Sequence, residues 1–292
     1  MLTSSVHKIS WDESIWFSDV DDTLITTAES SLPASDGIRD VFTSRYGKEV
    51  GITIQKEFIK IFTMMLSLHR GNNETDEHRS LIEEIESYQK GLPAEYGRPK
   101  RWSREIFTMI ATQRLGIHVS HELISEATDA YWMNLTQIAE IIPGVFPLIN
   151  EIKKHKRPFY LVTGSDVRLV DDNGQFLYNP HYSESFKRER LAVLRQRGIN
   201  FNLVSIGDPE DKPHKDFFEK AVRVAEEDLG EKIDLSKAII IGDSFAADLQ
   251  TPKEQMGFGL SVLYKNGSEH TEIIDEHLIA TGSLAEITKF LA

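Results

Sequence analysis

With 292 residues, 40% of them hydrophobic and 27% charged, the chain has the composition of an ordinary soluble protein and can bury a full core as one large or two medium domains. Its 46 acidic residues against 33 basic ones leave a net charge of −13, which argues against a protein that tracks a nucleic-acid backbone and favours a small soluble ligand. Cysteine is absent, so disulfides, thiolate catalysis and cysteine-ligated zinc are excluded. The polar stretch Met1–Glu13 has no apolar signal core, and no run approaches the roughly 18 apolar residues of a membrane span, so a cytoplasmic location is expected.

The first predicted element is a short apolar strand, Ile15-Trp16-Phe17-Ser18, which runs into Asp19-Val20-Asp21-Asp22-Thr23. A strand delivers its last side chains to the carboxyl edge of a sheet, where open α/β folds bind ligands. Two carboxylates two residues apart at that point can share one substrate or meet over a metal. An acidic turn is the plainer reading of the same residues. Between Thr27 and Pro143 the pattern turns helical. Apolar residues recur at three- and four-residue spacing over Ser35–Tyr46, Ile54–Leu68, Thr75–Lys90, Ser103–Leu115 and His121–Glu140, with Ser35, Thr75 and Ser103 as N-caps. Gly71-Asn72-Asn73 and Gly91-Leu92-Pro93 read as breaks between helices.

Beyond Pro143 strands and helices alternate. Pro158–Val162, Phe201–Ile206, Ala238–Ile241 and Leu260–Leu263 read as strands, and Phe146–Lys156, Glu184–Gln196, Lys215–Asp228 and Phe245–Gln255 as helices. That alternation predicts a doubly wound parallel sheet. Within it, Asn173-Gly174 in the segment Arg168–Tyr178 is the two-residue turn of a hairpin, so a small β-ribbon is expected beside the site. Three further polar groups stand at strand ends or helix starts, in a fixed order: Thr163-Gly164-Ser165, then Lys212-Pro213, then Gly242-Asp243-Ser244 with Asp248 five residues on.

Taken together, Asp19-Val20-Asp21-Asp22-Thr23, Thr163, Lys212 and Gly242-Asp243 with Asp248 resemble the four motifs of the haloacid dehalogenase superfamily of aspartate-nucleophile phosphotransferases. The resemblance implies a Rossmann-like α/β core from residues 1–27 and 143–292, with a helical cap, 28–142, inserted after the first strand. That cap would exclude water and choose the substrate. It implies Asp19 as nucleophile and Asp21 as general acid and base. Thr163, with the amides of Gly164 and Ser165, would hold phosphoryl oxygens, and Lys212 would add a point charge to them. Mg²⁺ is the implied cofactor, held by the carboxylates of Asp19 and Asp243 and the backbone carbonyl of Asp21, with Asp248 orienting a metal-bound water or Lys212 from outside. Thr23 and Asp22 would shape the loop without touching metal. Lys215 is the rival of Lys212, which is preferred for its Lys-Pro pairing.

The expected activity is hydrolysis of a small phosphorylated metabolite through an aspartyl-phosphate, with no nucleic-acid or membrane partner. A phosphomutase on the same core and a non-catalytic phosphate-binding or regulatory protein are the alternatives. The family's dehalogenases lack the second aspartate that stands here as Asp21. Arg98-Lys100-Arg101-Arg104 is the densest basic cluster of the cap and reads as a solvated face or a meeting point for an acidic substrate. Ser18, where an apolar residue is more usual, departs from the family pattern.

Overall fold

A computed structural model describes residues 6, 8–69, 74–91, 103–165, 167–208 and 210–292. The chain forms two compact units: Met1–Thr26, Glu140–Ser165 and Arg188–Ala292 make an α/β unit, and Thr27–Ala139 with Asp166–Lys187 make a helical one. No helix among the described residues is long and apolar enough to cross a membrane.

In chain order the strands are β1 (Ile15–Ser18), β2 (Phe159–Gly164), β3 (Leu169–Asp172), β4 (Gln175–Tyr178), β5 (Val204–Gly207), β6 (Ala238–Gly242), β7 (Leu260–Tyr264), β8 (Glu272–Asp275) and β9 (Leu278–Thr281). Seven of them build the sheet of the α/β unit in the order β5-β2-β1-β6-β7-β9-β8. Every neighbouring pair is parallel except β8 with β9. All four residues of β1 and all five of β6 are buried, as central strands covered on both faces must be, which is why they read as unbroken apolar runs. One face packs on α9 (Lys215–Leu229), whose Phe217, Phe218, Ala221, Val222 and Ala225 recur at helical spacing and meet Phe17, Tyr160, Val162 and Ile240. Each such buried Phe, Val or Ile side chain contributes roughly 1.5–3 kcal/mol.

Two details of the α/β unit differ from the sequence reading. The strand expected over Phe201–Ile206 begins only at Val204. Ahead of it the Asn202 side chain accepts the Phe159 N–H at 3.1 Å, and Arg195 donates to the carbonyls of Phe201 and Asn202, so these residues form a side-chain-locked turn. The edge hairpin β8–β9 was not foreseen, because Glu272-Ile273-Ile274-Asp275 is charged at both ends and mostly exposed, and so lacks a strand's alternation.

The helical unit comprises α1 (Ala28–Ala34), α2 (Asp36–Tyr46), α3 (Lys48–His69), α4 (Asp76–Gly91), α5 (Arg104–Arg114) and α6 (His121–Ile138). Its core is aromatic and aliphatic, with Phe42, Ile54, Phe58, Phe107, Tyr131 and Leu135 all buried. Ser103 and Thr75 cap as expected, their hydroxyls accepting from Ile106 N–H and His78 N–H, each at 3.3 Å. Ser35 does not. An unforeseen helix, α1, runs directly into it, and its hydroxyl donates instead to the Leu32 carbonyl at 2.6 Å. Both expected breaks, at Gly71-Asn72-Asn73 and after Gly91, and three members of the basic cluster, Arg98, Lys100 and Arg101, fall outside the described residues.

The β3–β4 ribbon turns at Asn173 (φ 54°) and Gly174 (φ 81°), the left-handed pair a two-residue hairpin demands. Expected with the α/β core, it clusters with the helices: Val167, Leu169, Phe176 and Tyr178 are buried in their core. Arg168, 1% exposed, fastens it there, donating from Nε to Glu105 Oε1 at 2.7 Å and from Nη2 to Asp129 Oδ1 at 2.5 Å. Helix α7 (Val145–Lys154) precedes β2 in the α/β unit, and the helix that follows the ribbon, α8 (Pro180–Gln196), begins in the helical unit and ends in the α/β unit.

Candidate active site

The register Ser18↔Ile241 sets the end of β1 beside the end of β6, and Asp19 prolongs the pairing by donating its N–H to the Ile241 carbonyl at 2.8 Å. Ser18, the departure from the family pattern, has a local role: its buried hydroxyl donates to the Asp19 carbonyl at 2.7 Å. The chain then folds back tightly. The Val20 carbonyl accepts from the amides of Thr23, Leu24 and Ile25, and Asp22 takes a left-handed φ of 58°. This fixes Asp19 and Asp21 at the carboxyl edge of the sheet. Thr23, fully buried, lies between two carboxylates, its hydroxyl 3.4 Å from Asp19 Oδ2 and 3.5 Å from Asp243 Oδ1.

Beyond β6, Ser244 opens a helical segment of π character, Phe245–Leu249. The Ser244 hydroxyl accepts from Ala247 N–H, and its own N–H donates to Asp248 Oδ2 at 3.0 Å. The turn brings Asp248 back over Gly242, where a Cβ would sit 2.6 Å from the Asp248 carboxyl carbon; only glycine leaves that carboxylate room. Lys212 completes the group. Its ammonium donates to Asp19 Oδ1 at 2.5 Å and to Asp248 Oδ1 at 2.6 Å, with only 11% of its side chain exposed. The rival Lys215 is turned outward onto Glu219. One carboxylate oxygen from each of Asp19, Asp243 and Asp248 lies within 4.8 Å of the others.

Among the described residues, carboxylates outnumber cations in this cluster. Burial pushes the Asp19 carboxyl well above the usual range; Lys212 pulls it down, and Asp248, Asp243 and Asp21 push it up again. Asp243 meets solvent on one side, yet the protein packed around it, together with Asp248 and Asp22, pushes it up to about 7. Burial works against the Lys212 charge, but the Asp19 and Asp248 carboxylates outweigh it and keep the ammonium protonated. Asp21 has its own cation: Arg190 Nη2 donates to its Oδ1 at 3.1 Å. Among the described residues four carboxylates thus face two fixed positive charges, and an all-oxygen donor set of this charge fits a hard divalent ion such as Mg²⁺.

Thr163 is the penultimate residue of β2 at the same sheet edge, wholly buried, with its hydroxyl 3.4 Å from the Gly164 carbonyl. One expectation needs correcting here. The Ser165 amide, read as a phosphoryl donor, donates instead to the Gly207 carbonyl at 3.3 Å, because the β2–β5 ladder continues through Gly164 and Gly207 and claims it. Three participants escaped the sequence reading. Thr23 was given to loop shape alone. Asp211 packs against Gly164, a Cβ there lying 3.3 Å from its Oδ2, and its only signal was adjacency to Lys212. Arg190 sits in the charged run Lys187-Arg188-Glu189-Arg190, which looks solvated until burial is known.

The sequence pattern of the haloacid dehalogenase-like hydrolases matches residues 16–254. The chain belongs to that family. No curated protein sequence matches it. Among solved structures, YfnB of Bacillus subtilis, named a HAD hydrolase and crystallised with magnesium, is similar at 16% identity over 94% of this chain and 97% of that one, with a TM-score of 0.53. A 2-haloacid dehalogenase from Pseudomonas syringae pv. tomato is similar at 17% identity, covering 95% and 97%, with a TM-score of 0.52. A Thermotoga maritima protein assigned as a β-phosphoglucomutase is similar at 15% identity, covering 94% and 97%, also with a TM-score of 0.52. At these identities the likeness is one of fold, and that fold carries more than one chemistry.

Proposed function

We propose that this hydrolase is a Mg²⁺-dependent phosphatase acting on a small phosphomonoester through an aspartyl-phosphate on Asp19. The observation that carries the reading is the carboxylate pair Asp19 and Asp21, with Lys212 bridging Asp19 to Asp248 and an Asp243 oxygen within 4.8 Å of one from each of those two. Phosphate monoesters resist water because an anionic nucleophile must approach a dianion, so catalysis needs an in-line nucleophile, a proton for the leaving oxygen and fixed positive charge.

Asp19 supplies the nucleophile. Its burial strips away the solvation that would otherwise stabilise its charge; the Lys212 ammonium opposes that shift and orients the carboxylate by holding Oδ1. Asp19 and Asp243 would hold Mg²⁺ with the Asp21 carbonyl, and the ion supplies the remaining positive charge for the phosphoryl oxygens. Asp21 protonates the departing alkoxide and then takes a proton from the water that cleaves the acyl phosphate, a role of general acid and base worth typically 10²–10⁴-fold. Thr163 and Lys212 bind the phosphoryl oxygens. Asp248, held by Ser244 N–H and Lys212, keeps the lysine seated between the two carboxylates. Asp21 is also the feature that argues for phosphate over haloacid, since a halide leaves without needing a proton.

The reading is tested by acid-quenching a turnover mixture and mapping peptides by mass spectrometry. A single phosphoryl group on the peptide containing Asp19, absent from Asp19→Asn, is expected. Turnover with no such adduct under single-turnover conditions would overturn it.

A further inference from the structure

Arg190 lies far from every sequence motif, 169 residues from Asp21, yet its guanidinium donates through Nη2 to Asp21 Oδ1 at 3.1 Å. It comes from the last turns of α8, the part of that helix belonging to the α/β unit, and its side chain is 4% exposed. Leu191 and Leu194 beside it are buried, so this stretch of helix is fixed by packing. A buried guanidinium must be met by charge and hydrogen bonds or its desolvation costs several kcal/mol, so a solvated surface arginine does not describe it. The carboxylate it meets is half-exposed, 29% of the side chain, which is the condition of a group that must reach substrate.

We propose that Arg190 is the positioning residue of the general acid, a role that rests on the phosphatase reading above. An aspartate side chain in a loop samples several rotamers, and holding it in one costs entropy that an outside partner can supply in advance. Arg190 ties Oδ1. A guanidinium N–H neither accepts a proton nor gives one up at any working pH, so Arg190 orients the carboxylate without exchanging the proton that Asp21 delivers and recovers. The pair therefore sets the direction of the Asp21 carboxylate, while Lys212 does the same for the nucleophile. Each carboxylate of the catalytic pair then has its own buried cation, Asp19 with Lys212 and Asp21 with Arg190.

The test compares kcat/KM on two esters of similar shape: phenyl phosphate, whose leaving group departs poorly without a proton, and p-nitrophenyl phosphate, whose leaving group needs none. Wild type, Arg190→Met, Arg190→Lys and Asp21→Asn are assayed. Arg190→Met should lose about tenfold or more on phenyl phosphate beyond its loss on the nitrophenyl ester, the same pattern as Asp21→Asn in smaller measure, within the range a general acid commands. Arg190→Lys, which keeps the charge and loses the planar fork, should recover part of that gap. It also decides the question if Arg190→Met does not fold. Equal losses on both esters, or none, would overturn the assignment and leave the phosphatase reading standing. A folded wild type silent on both esters in Mg²⁺ would remove that reading, and this one with it.

Discussion

Metal binding should be strongly proton-linked, and the structure sets the scale. Asp243 titrates at about 7 in the folded protein against an ordinary 3.8, so between those values the metal-free fold holds a proton that the unfolded chain has released. Its contribution to stability is therefore present below about pH 4 and lost as the pH rises through 7; burial, Asp248 and Asp22 make the ionised form unwelcome. Mg²⁺ needs the carboxylate ionised, so its apparent Kd should scale as one plus the ratio of protonated to ionised Asp243. That factor is about 1 at pH 8, about 11 at pH 6 and about 100 at pH 5. Asp19 is shifted in the same direction and can only steepen the slope. Isothermal titration in buffers of differing ionisation enthalpy measures both quantities, and should find at least tenfold weaker binding at pH 6 than at pH 8, with a proton released at the lower pH. The melting temperature gained on adding Mg²⁺ should be larger at pH 8. Equal affinity and equal thermal gain at pH 6 and 8, with no proton release, would refute the assignment of Asp243 as a ligand.

Lys212→Met leaves the Asp19 and Asp248 carboxylates facing each other without their cation, and should cost about 3–5 kcal/mol of unfolding free energy in urea; a loss under 1 kcal/mol would show that the bridge is not formed in solution. Gly242→Ala forces a methyl against the Asp248 carboxyl carbon, so a loss of roughly 1–3 kcal/mol, together with weakened turnover, is expected from a denaturant melt and an activity assay. In the helical unit, Arg168→Met strands Glu105, which is wholly buried; amide exchange in the β3–β4 ribbon should quicken while that of β6 stays slow, and unchanged ribbon protection would mean that Arg168 does not hold it.

The parts of this architecture that were legible in the sequence are those written in local pattern. The buried runs of β1 and β6 announced central strands, and the three- and four-residue spacing of Phe58, Phe62 and Met65 announced a helix. Asp19, Lys212, Asp243 and Asp248 could be named because each stands at a strand end or helix start in an order shared with a family, and the fold does bring those four together. What escaped was set by long-range contact. Nothing local says that Arg190 is buried against a residue near the start of the chain. Nor does the Asn-Gly turn say which unit its ribbon joins; that is decided by Leu169, Phe176 and the Arg168 pair with Glu105. The Ser165 amide was misjudged for the same reason, since only the partner strand β5 shows that Gly207 claims it.

The most direct test of the central claim is phosphate release from a panel of small phosphomonoesters, with and without Mg²⁺, by the wild type beside Asp19→Asn. Metal-dependent release that the variant lacks, both proteins being folded, is the predicted result. Undiminished release by Asp19→Asn, or none from any ester by a folded, Mg²⁺-loaded wild type, would contradict it.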